Sequence, residues 1–385
     1  MKKQIVRLTA VLLGASLGLS AEAQMLSLHV ETPGTLSEAV AASGQEKYQI
    51  ASLKLTGELN GTDIAYVREM AGRAPNSYAT TEGILSEIDL SEVRIVEGGD
   101  SYFQYLSPVY AATDKLGSFM FYYCENLTKA ILPESVTEIG QSAFFHAGLT
   151  DVVIPASVKQ IGNNAFNGCY SLKSVTFSEG LESLGNLVFL GCGLERVDLP
   201  EGVKKIGNSV FFDNQQLVSV SLPSTLTEIG DEAFSNTTSL TEIHCAAVEP
   251  PVCGENCFVS QEDPGGGFSA DNRSQVRAAA ANTITVYVPA GSEEAYRAAE
   301  GWKDLTIVTE SSAVEVVDVV SVKAYAQAGS VIVEGLHAGM PVSVYNVQGM
   351  LLKKQQADGY TMQIALPAGQ VYLVKAGEQT IKVRM

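Results

Sequence analysis

Six cysteines and four histidines are the residues of this 385-residue chain best suited to metal binding, disulfide formation or nucleophilic chemistry. A zinc site would have to draw on His244, Cys245, Cys253 and Cys257, since imidazole and thiolate are zinc's preferred ligands. Neighbours on a strand point to opposite faces, so His244 and Cys245 could not share one ion. The remaining histidines, His29, His146 and His337, are scattered. G-x-S-x-G occurs as Gly14-Ala15-Ser16-Leu17-Gly18, without the strand-turn-helix setting that exposes a nucleophilic serine. H-E-x-x-H, a phosphate-binding glycine loop and a calcium loop are missing, and Pro264-Gly265-Gly266-Gly267 lacks the Lys and helix that should follow it. Glu134, Glu138, Glu228 and Asp231 recur at repeat positions, which marks a solvated face rather than converging catalytic carboxylates. No catalytic residue, metal or cofactor is assigned, and the chain is not expected to be an enzyme.

Charge and the first residues narrow the setting. The formal charge is −18. Phosphate binding needs clustered Lys and Arg, so nucleic acid is excluded as a partner, and unassisted docking to anionic lipid with it. Lys2, Lys3 and Arg7 precede an apolar run, Leu8 to Leu19, that is too short to span a bilayer. Ala21-Glu22-Ala23 then offers a small-x-small cleavage site, so residues 1–23 read as a signal peptide. With no later apolar run of about eighteen residues, no direct membrane insertion is expected after cleavage.

The elements that would position any site are repeats. Segments begin at Leu127, Leu149, Leu172, Leu194, Leu217 and, in degenerate form, Leu240, at spacings of 22 or 23 residues. The shared pattern is L-x-x-V-x-[ILF]-P-x-x-[VL]-x-x-[IL]-G-x-x-[AV]-F. Leu149, Val152, Ile154, Pro155, Val158, Ile161, Gly162, Ala165 and Phe166 show it in full. Val152-x-Ile154 puts two side chains on one face of a strand, and Pro155 ends it. Ile161 and the Ala165-Phe166 pair, four and five residues apart, suit a short helical turn facing inward. The expected fold is therefore an α/β leucine-rich-repeat solenoid, a short strand plus a short helical turn per repeat, stacked to bury one continuous core.

The P-x-x-[VL]-x-x-I-G-x-x-A-F stretch, at Pro133 to Phe144, Pro155 to Phe166 and Pro223 to Phe234, resembles the BspA-like subclass of leucine-rich repeats found on anaerobic gut and oral bacteria. Ser178 departs from the pattern in place of Pro, and Val188 and Val210 in place of Ala, each without a large change of size. Leu116-Gly117-Ser118-Phe119-Met120-Phe121 matches half a repeat, with its strand half at Leu85 to Leu90 and an insertion from Glu97 to Asp114. Residues 24–114 read as an N-terminal cap with atypical repeats, including a strand at Ser52 to Gly57 and a helix from Thr62 to about Ala71. Residues 115–310 read as the repeats with a C-terminal cap. There Val288 to Tyr296 and Gly301-Trp302-Lys303 resemble the family's cap, and Gln261 to Asn282 reads as a mobile loop.

Residues 313–385 alternate apolar and polar side chains between Gly-bearing turns, the pattern of a small all-β sandwich. Val344 to Gly349, Leu366 to Tyr372 and Ile381 to Val383 resemble C-terminal sorting domains of Bacteroidetes type IX secretion. That resemblance implies sorting or anchoring; a plain structural module is the other reading.

Cys124, Cys169 and Cys192 share one slot, three residues after the repeat Phe. Cys245 takes a strand slot, and Cys253 and Cys257 take the Ile and Ala slots. All six fall where the core wants a small hydrophobe, which points to buried thiols. A Cys169–Cys192 disulfide is the alternative, because coils about 5 Å apart nearly match the usual Cα separation of ~5.5–6 Å.

The strand residues between core slots form two outward columns: Lys129, Asp151, Ser174, Arg196, Ser219 and Glu242; and Ile131, Val153, Thr176, Asp198, Ser221 and His244. These are the binding candidates. Tyr122 joins them from the stretch Phe119, Phe121, Tyr122 and Tyr123, expected beside Ile131 and Val153, since aromatic residues dominate contact energies. By register Phe121 belongs to the core. Resemblance to surface adhesins implies host or bacterial surface proteins as partners for an exported, secreted or cell-surface protein. A periplasmic scaffold is the alternative. Glycans remain possible, although the two columns contain no aromatic platform.

Overall fold

The computed structural model describes residues 25–75, 79–258, 284–310, 323–327, 330–334, 340–346, 351–357, 361–367, 371–376 and 379–384. The signal peptide, His337 and the Gln261 to Asn282 loop lie outside the described residues. Two compact units emerge, Met1–Glu310 and Ser311–Met385.

The first unit is a right-through solenoid of parallel strands. Six of them, Leu26–Val30, Ser52–Leu59, Glu87–Ile95, Lys129–Ile131, Asp151–Ile154 and Ser174–Phe177, pair in chain order. Five more, Arg196–Asp198, Ser219–Leu222, Glu242–Cys245, Thr285–Val288 and Thr306–Thr309, form a second parallel sheet. Between the two, Glu195 N–H donates to Lys173 O at 3.3 Å. Two-residue strands build a second side of the coil: Lys115–Leu116, Glu138–Ile139, Gln160–Ile161, Ser183–Leu184, Lys205–Ile206, Glu228–Ile229 and Val252–Cys253.

The third side corrects the expected helical turn. Residues 117–124 and their equivalents form turns, with no helix assigned among the described residues from 115 to 258. Alternation of backbone hand is the cause. Phe119, Tyr123, Ser142, His146, Asn164, Leu187, Ser209, Asp213, Glu232 and Asn236 all have φ between 53° and 60°. The left-handed residues recur at every fourth position of each turn, and every second N–H is turned out of the coil. Met120, Tyr122 and Cys124 donate within their own turn, to Gly117, Phe119 and Phe121. Phe119, Phe121 and Tyr123 donate across to Gln141, Ala143 and Phe145 of the next coil. An α-helix would spend all these donors internally; the repeat spends half of them on its neighbour.

Inside, one ring per coil stacks on the next. Phe121, Phe144, Phe166, Phe189, Phe211, Phe234 and Phe258 form a ladder with centroids 5.2–5.7 Å apart. Side chains at a second slot tie the coils together. Cys169 Sγ donates to Phe144 O at 3.1 Å, Cys192 Sγ to Phe166 O at 3.2 Å, and Asn214 Nδ2 to Phe189 O at 2.7 Å. All six cysteines are free thiols, five of them buried and Cys253 half-buried. Burial pushes the Cys169 thiol up to about 12 and holds that of Cys192 well above the ordinary thiol value, so both stay protonated donors.

Both ends are covered. Helix α1 (Leu36–Ser43) and helix α2 (Gly61–Met70) lie at the N-terminal end. Asn60 and Asp63 form a capping box on α2, and Asp63 also accepts from Gly34 N and Leu36 N. The insertion after Ile95 is a hairpin, Gly98–Gln104 with Pro108–Ala111. At the other end, helix α3 (Glu293–Ala298) carries Tyr296 and the turn after it carries Trp302, both fully buried.

In the second unit, Lys323–Gln327, Ser330–Glu334 and Thr361–Ala365 form a three-stranded antiparallel sheet. A four-stranded sheet contains Leu351–Gln356, Pro341–Asn346, Val371–Ala376 and Gln379–Arg384. Val331, Val333 and Ile364 of one share a buried cluster with Val342, Val344, Tyr372 and Val374 of the other.

Candidate functional site

The outward face of the long sheets is set by strand pairing. Lys129 pairs with Asp151 and Asp151 with Ser174; after the break Arg196 pairs with Ser219 and Ser219 with Glu242. In the second column Val153 pairs with Thr176, and Asp198 with Ser221, which pairs with His244. Lys129, Asp151, Ser174 and Arg196 are exposed, as are Ile131, Val153, Thr176 and Asp198. Ile131 and Val153 stand out, at 42% and 57% exposure, as β-branched side chains on a solvated face.

Ser219 departs from expectation. It is buried, and its Oγ has no hydrogen-bond partner. A short side chain placed between Arg196 and Glu242 lies in the trough between two long ones, so it is not available for contact. Ser221 is half-buried and donates to Asp198 Oδ1 at 2.6 Å.

His244 sits half-exposed between carboxylates, with Nδ1 3.4 Å from Glu310 and Nε2 3.9 Å from Glu242. Its ring lies flat on Tyr287, at 4.6 Å and 7°. Tyr287 continues the second column, pairing with His244. The second column is therefore extended by one half-buried ring, with His244 stacked on its face. The sequence marks Thr285-Val286-Tyr287-Val288-Pro289 as the next strand, but the outward columns drawn from it end at Glu242 and His244 and leave Tyr287 out. Cys245, next to His244, points into the core.

Tyr122 is not on this face. It lies half-buried on the turn side of the coil, around the corner made by residues 125–128 from Ile131, and stacks on Phe145 at 5.0 Å. The aromatic stretch and the exposed Ile131–Val153 pair are thus two surfaces, not one. Phe121 is buried in the ring ladder.

This parallel solenoid, with its outward sheet and leucine-bearing coils, is similar to leucine-rich-repeat proteins. Residues 85–173 and 138–262 match the family described as BspA type Leucine rich repeat region, in six copies. A leucine-rich-repeat protein of T. pallidum is similar at 29% identity, with 48% of this chain and 78% of that one covered and a TM-score of 0.38. One from Bacteroides ovatus shows 17% identity, coverage of 73% and 63%, and a TM-score of 0.37. A leucine-rich cell surface protein from Faecalibacterium prausnitzii shows 17% identity, coverage of 57% and 83%, and a TM-score of 0.24. No curated protein matches the chain. Among the described residues no helix is long and apolar enough to cross a membrane.

Proposed function

We propose that this chain is an exported, adhesin-like protein of the cell surface that binds host or bacterial surface proteins through the outward sheet face of its solenoid. The observation that carries this reading is the pair Ile131 and Val153, exposed on a rigid sheet and flanked by Lys129 and Asp151. Apolar anchors ringed by mixed charge are the pattern of a contact centre with a polar rim. The repeated match to BspA-type repeats supports it. Activity of this kind needs no catalytic group, metal or cofactor. Export rests on residues 1–23, and sorting or anchoring on a sandwich formed by the C-terminal unit.

Protease shaving of intact source cells, with mass spectrometry of the released peptides, tests the display. Peptides between Leu127 and Leu240 are expected in the shaved fraction. Their release only after outer-membrane rupture would overturn the surface reading and leave a periplasmic scaffold.

A further inference from the structure

Four of the six thiols are held by groups other than thiols. Cys169 Sγ and Cys192 Sγ donate to carbonyls of the preceding coil, Cys124 Sγ lies 4.0 Å from Tyr122 O, and Cys245 Sγ accepts from Tyr296 Oη at 3.1 Å. Cys257 is different: the side chain within hydrogen-bonding reach of its thiol is that of Cys253. Strand register puts the two together. Val252–Cys253 pairs with Glu228–Ile229, so Cys253 continues the column Ile139, Ile161, Leu184, Ile206 and Ile229. Phe234 N–H donates to Cys257 O at 2.9 Å, as Phe211 N–H donates to Ala233 O at 2.8 Å, so Cys257 continues Ala143, Ala165, Val188, Val210 and Ala233. In those five coils both slots are filled by buried aliphatic side chains. A core that asks only for volume is satisfied that way; the coil of Cys253 alone places a thiol in both.

The pair is both reachable and structurally placed. Cys257 is buried, Cys253 is half-buried, and the residue before it, Val252, is 70% exposed. From the other side Gly301 presses on Cys253: a Cβ at Gly301 would stand 2.5 Å from Cys253 Cβ and 3.0 Å from its Sγ. Phe258, next to Cys257 in the chain, packs its ring on Trp302 at 5.2 Å. The two thiols thus lie where the last coil meets the C-terminal cap.

We propose that Cys253 and Cys257 form a redox-active pair that closes to a disulfide in an oxidising compartment and locks the coil on which the C-terminal cap rests. The co-reactant is a small-molecule or protein disulfide. The more accessible sulfur, Cys253, attacks it as the thiolate and forms a mixed disulfide, releasing the first thiol. Cys257 then attacks Cys253 Sγ, the second thiol leaves, and a Cys253–Cys257 bond remains. Two electrons and the two cysteine protons end on the co-reactant. Burial, with Cys253 beside it, holds the Cys257 thiol well above its ordinary value, so the second step is slow near neutrality and quickens as pH rises. Export, proposed from residues 1–23, brings the chain to such an oxidant, but the pair can close in solution whether or not the chain is exported.

Thiol counting on the full chain tests this. The reduced protein is incubated with oxidised glutathione in native buffer, denatured in N-ethylmaleimide, and analysed by intact mass and peptide mapping. Four of the six cysteines are expected to be alkylated, with the chain lighter by two hydrogens before alkylation and the bridge mapped to Cys253 and Cys257. Cys257→Ala, which installs the residue type of Ala233, should instead hold glutathione on Cys253. Cys253→Ala should hold none on Cys257. Closure should slow hydrogen exchange roughly twofold or more in Thr285–Val288 and residues 299–305, as a cross-link suppresses local opening. Six alkylated cysteines, a bridge between any other pair, or a bridge that forms only in denaturant would each overturn the proposal. Closure with exchange unchanged in those segments would overturn the locking role.

Discussion

At the N-terminal end of the solenoid the groups left open are carbonyls; at the C-terminal end it is a ring. Regular coils receive N–H donors from the coil before them, at the carbonyls that correspond to Ser118, Met120 and Tyr122. Among the described residues no preceding turn supplies the first coil, and side chains stand in. Tyr102 Oη donates to Ser118 O at 2.7 Å, and Arg68 donates to Met120 O at 2.9 Å and Tyr122 O at 3.5 Å. Arg68 also donates to Phe119 O and lies over the Phe103 ring at 4.9 Å. At the far end Trp302 packs on Phe258 at 5.2 Å and satisfies its own N–H on Pro251 O at 2.8 Å. One cap is a buried cation dedicated to backbone oxygen, the other a large apolar surface. A solenoid must close its hydrogen-bond ladder and its core separately, and the polarity of the ladder decides which end needs donors.

Substitutions that remove one cap at a time sharpen this contrast. Arg68→Ala should have the largest effect, on the order of 4–5 kcal/mol, since it strands buried carbonyls as well as removing packing. Hydrogen exchange should rise first in α2 and residues 117–124. Trp302→Ala should cost about 3–4 kcal/mol, with exchange rising first in the strands Glu242–Cys245 and Thr285–Val288. Loss of protection spread evenly over all coils in either variant would contradict the view that the ends are closed independently. Tyr102→Phe removes a single donor and should cost about 1–2 kcal/mol by denaturant melting.

Mid-array, Asn186 N–H donates to Asn163 Oδ1 at 2.8 Å and its own Oδ1 accepts from Asn208 N at 2.9 Å. Asn186→Ala, at an exposed link, should cost about 1 kcal/mol or less. His146 gives the smallest effect. Burial holds its pKa below the ordinary histidine value, against the opposing pull of Glu125. The neutral ring is therefore favoured by folding. Its contribution is complete above about pH 6.5 and is lost as pH falls through the lowered value. Tm should drop less for His146→Asn than for the unaltered chain between about pH 7 and 5, before the carboxylates titrate.

The coil was legible in the sequence because its inward slots admit few residue types. Leu127, Ile139 and Phe144, and their repeats, are apolar at a fixed period, and only stacking satisfies that. The turn was not legible. Ala165 and Phe166 suit an inward helical turn just as well, and Ser142, Leu187 and Glu232 carry no sign that their φ is positive. Burial of Ser219 depends on the lengths of its cross-strand neighbours, which a single strand does not reveal. Tyr122 was placed beside Ile131 by closeness in the chain, whereas the corner at residues 125–128 puts them on different sides. The strand Thr285–Val288 is legible from its alternation and following Pro289, but its residue-by-residue match to Glu242–Cys245 across the long insertion exists only once the strands have paired.

The proposed protein-binding surface is the outward sheet face, centred on Ile131 and Val153. The direct test is biolayer interferometry of the full chain against a panel of immobilised host matrix proteins, with Ile131→Asp and Val153→Asp combined as the variant. Binding to at least one panel member, weakened by roughly a hundredfold as expected when two central anchors are replaced by charges, is the predicted result. Binding of equal affinity in the variant, with its fold unchanged by circular dichroism, would contradict the account.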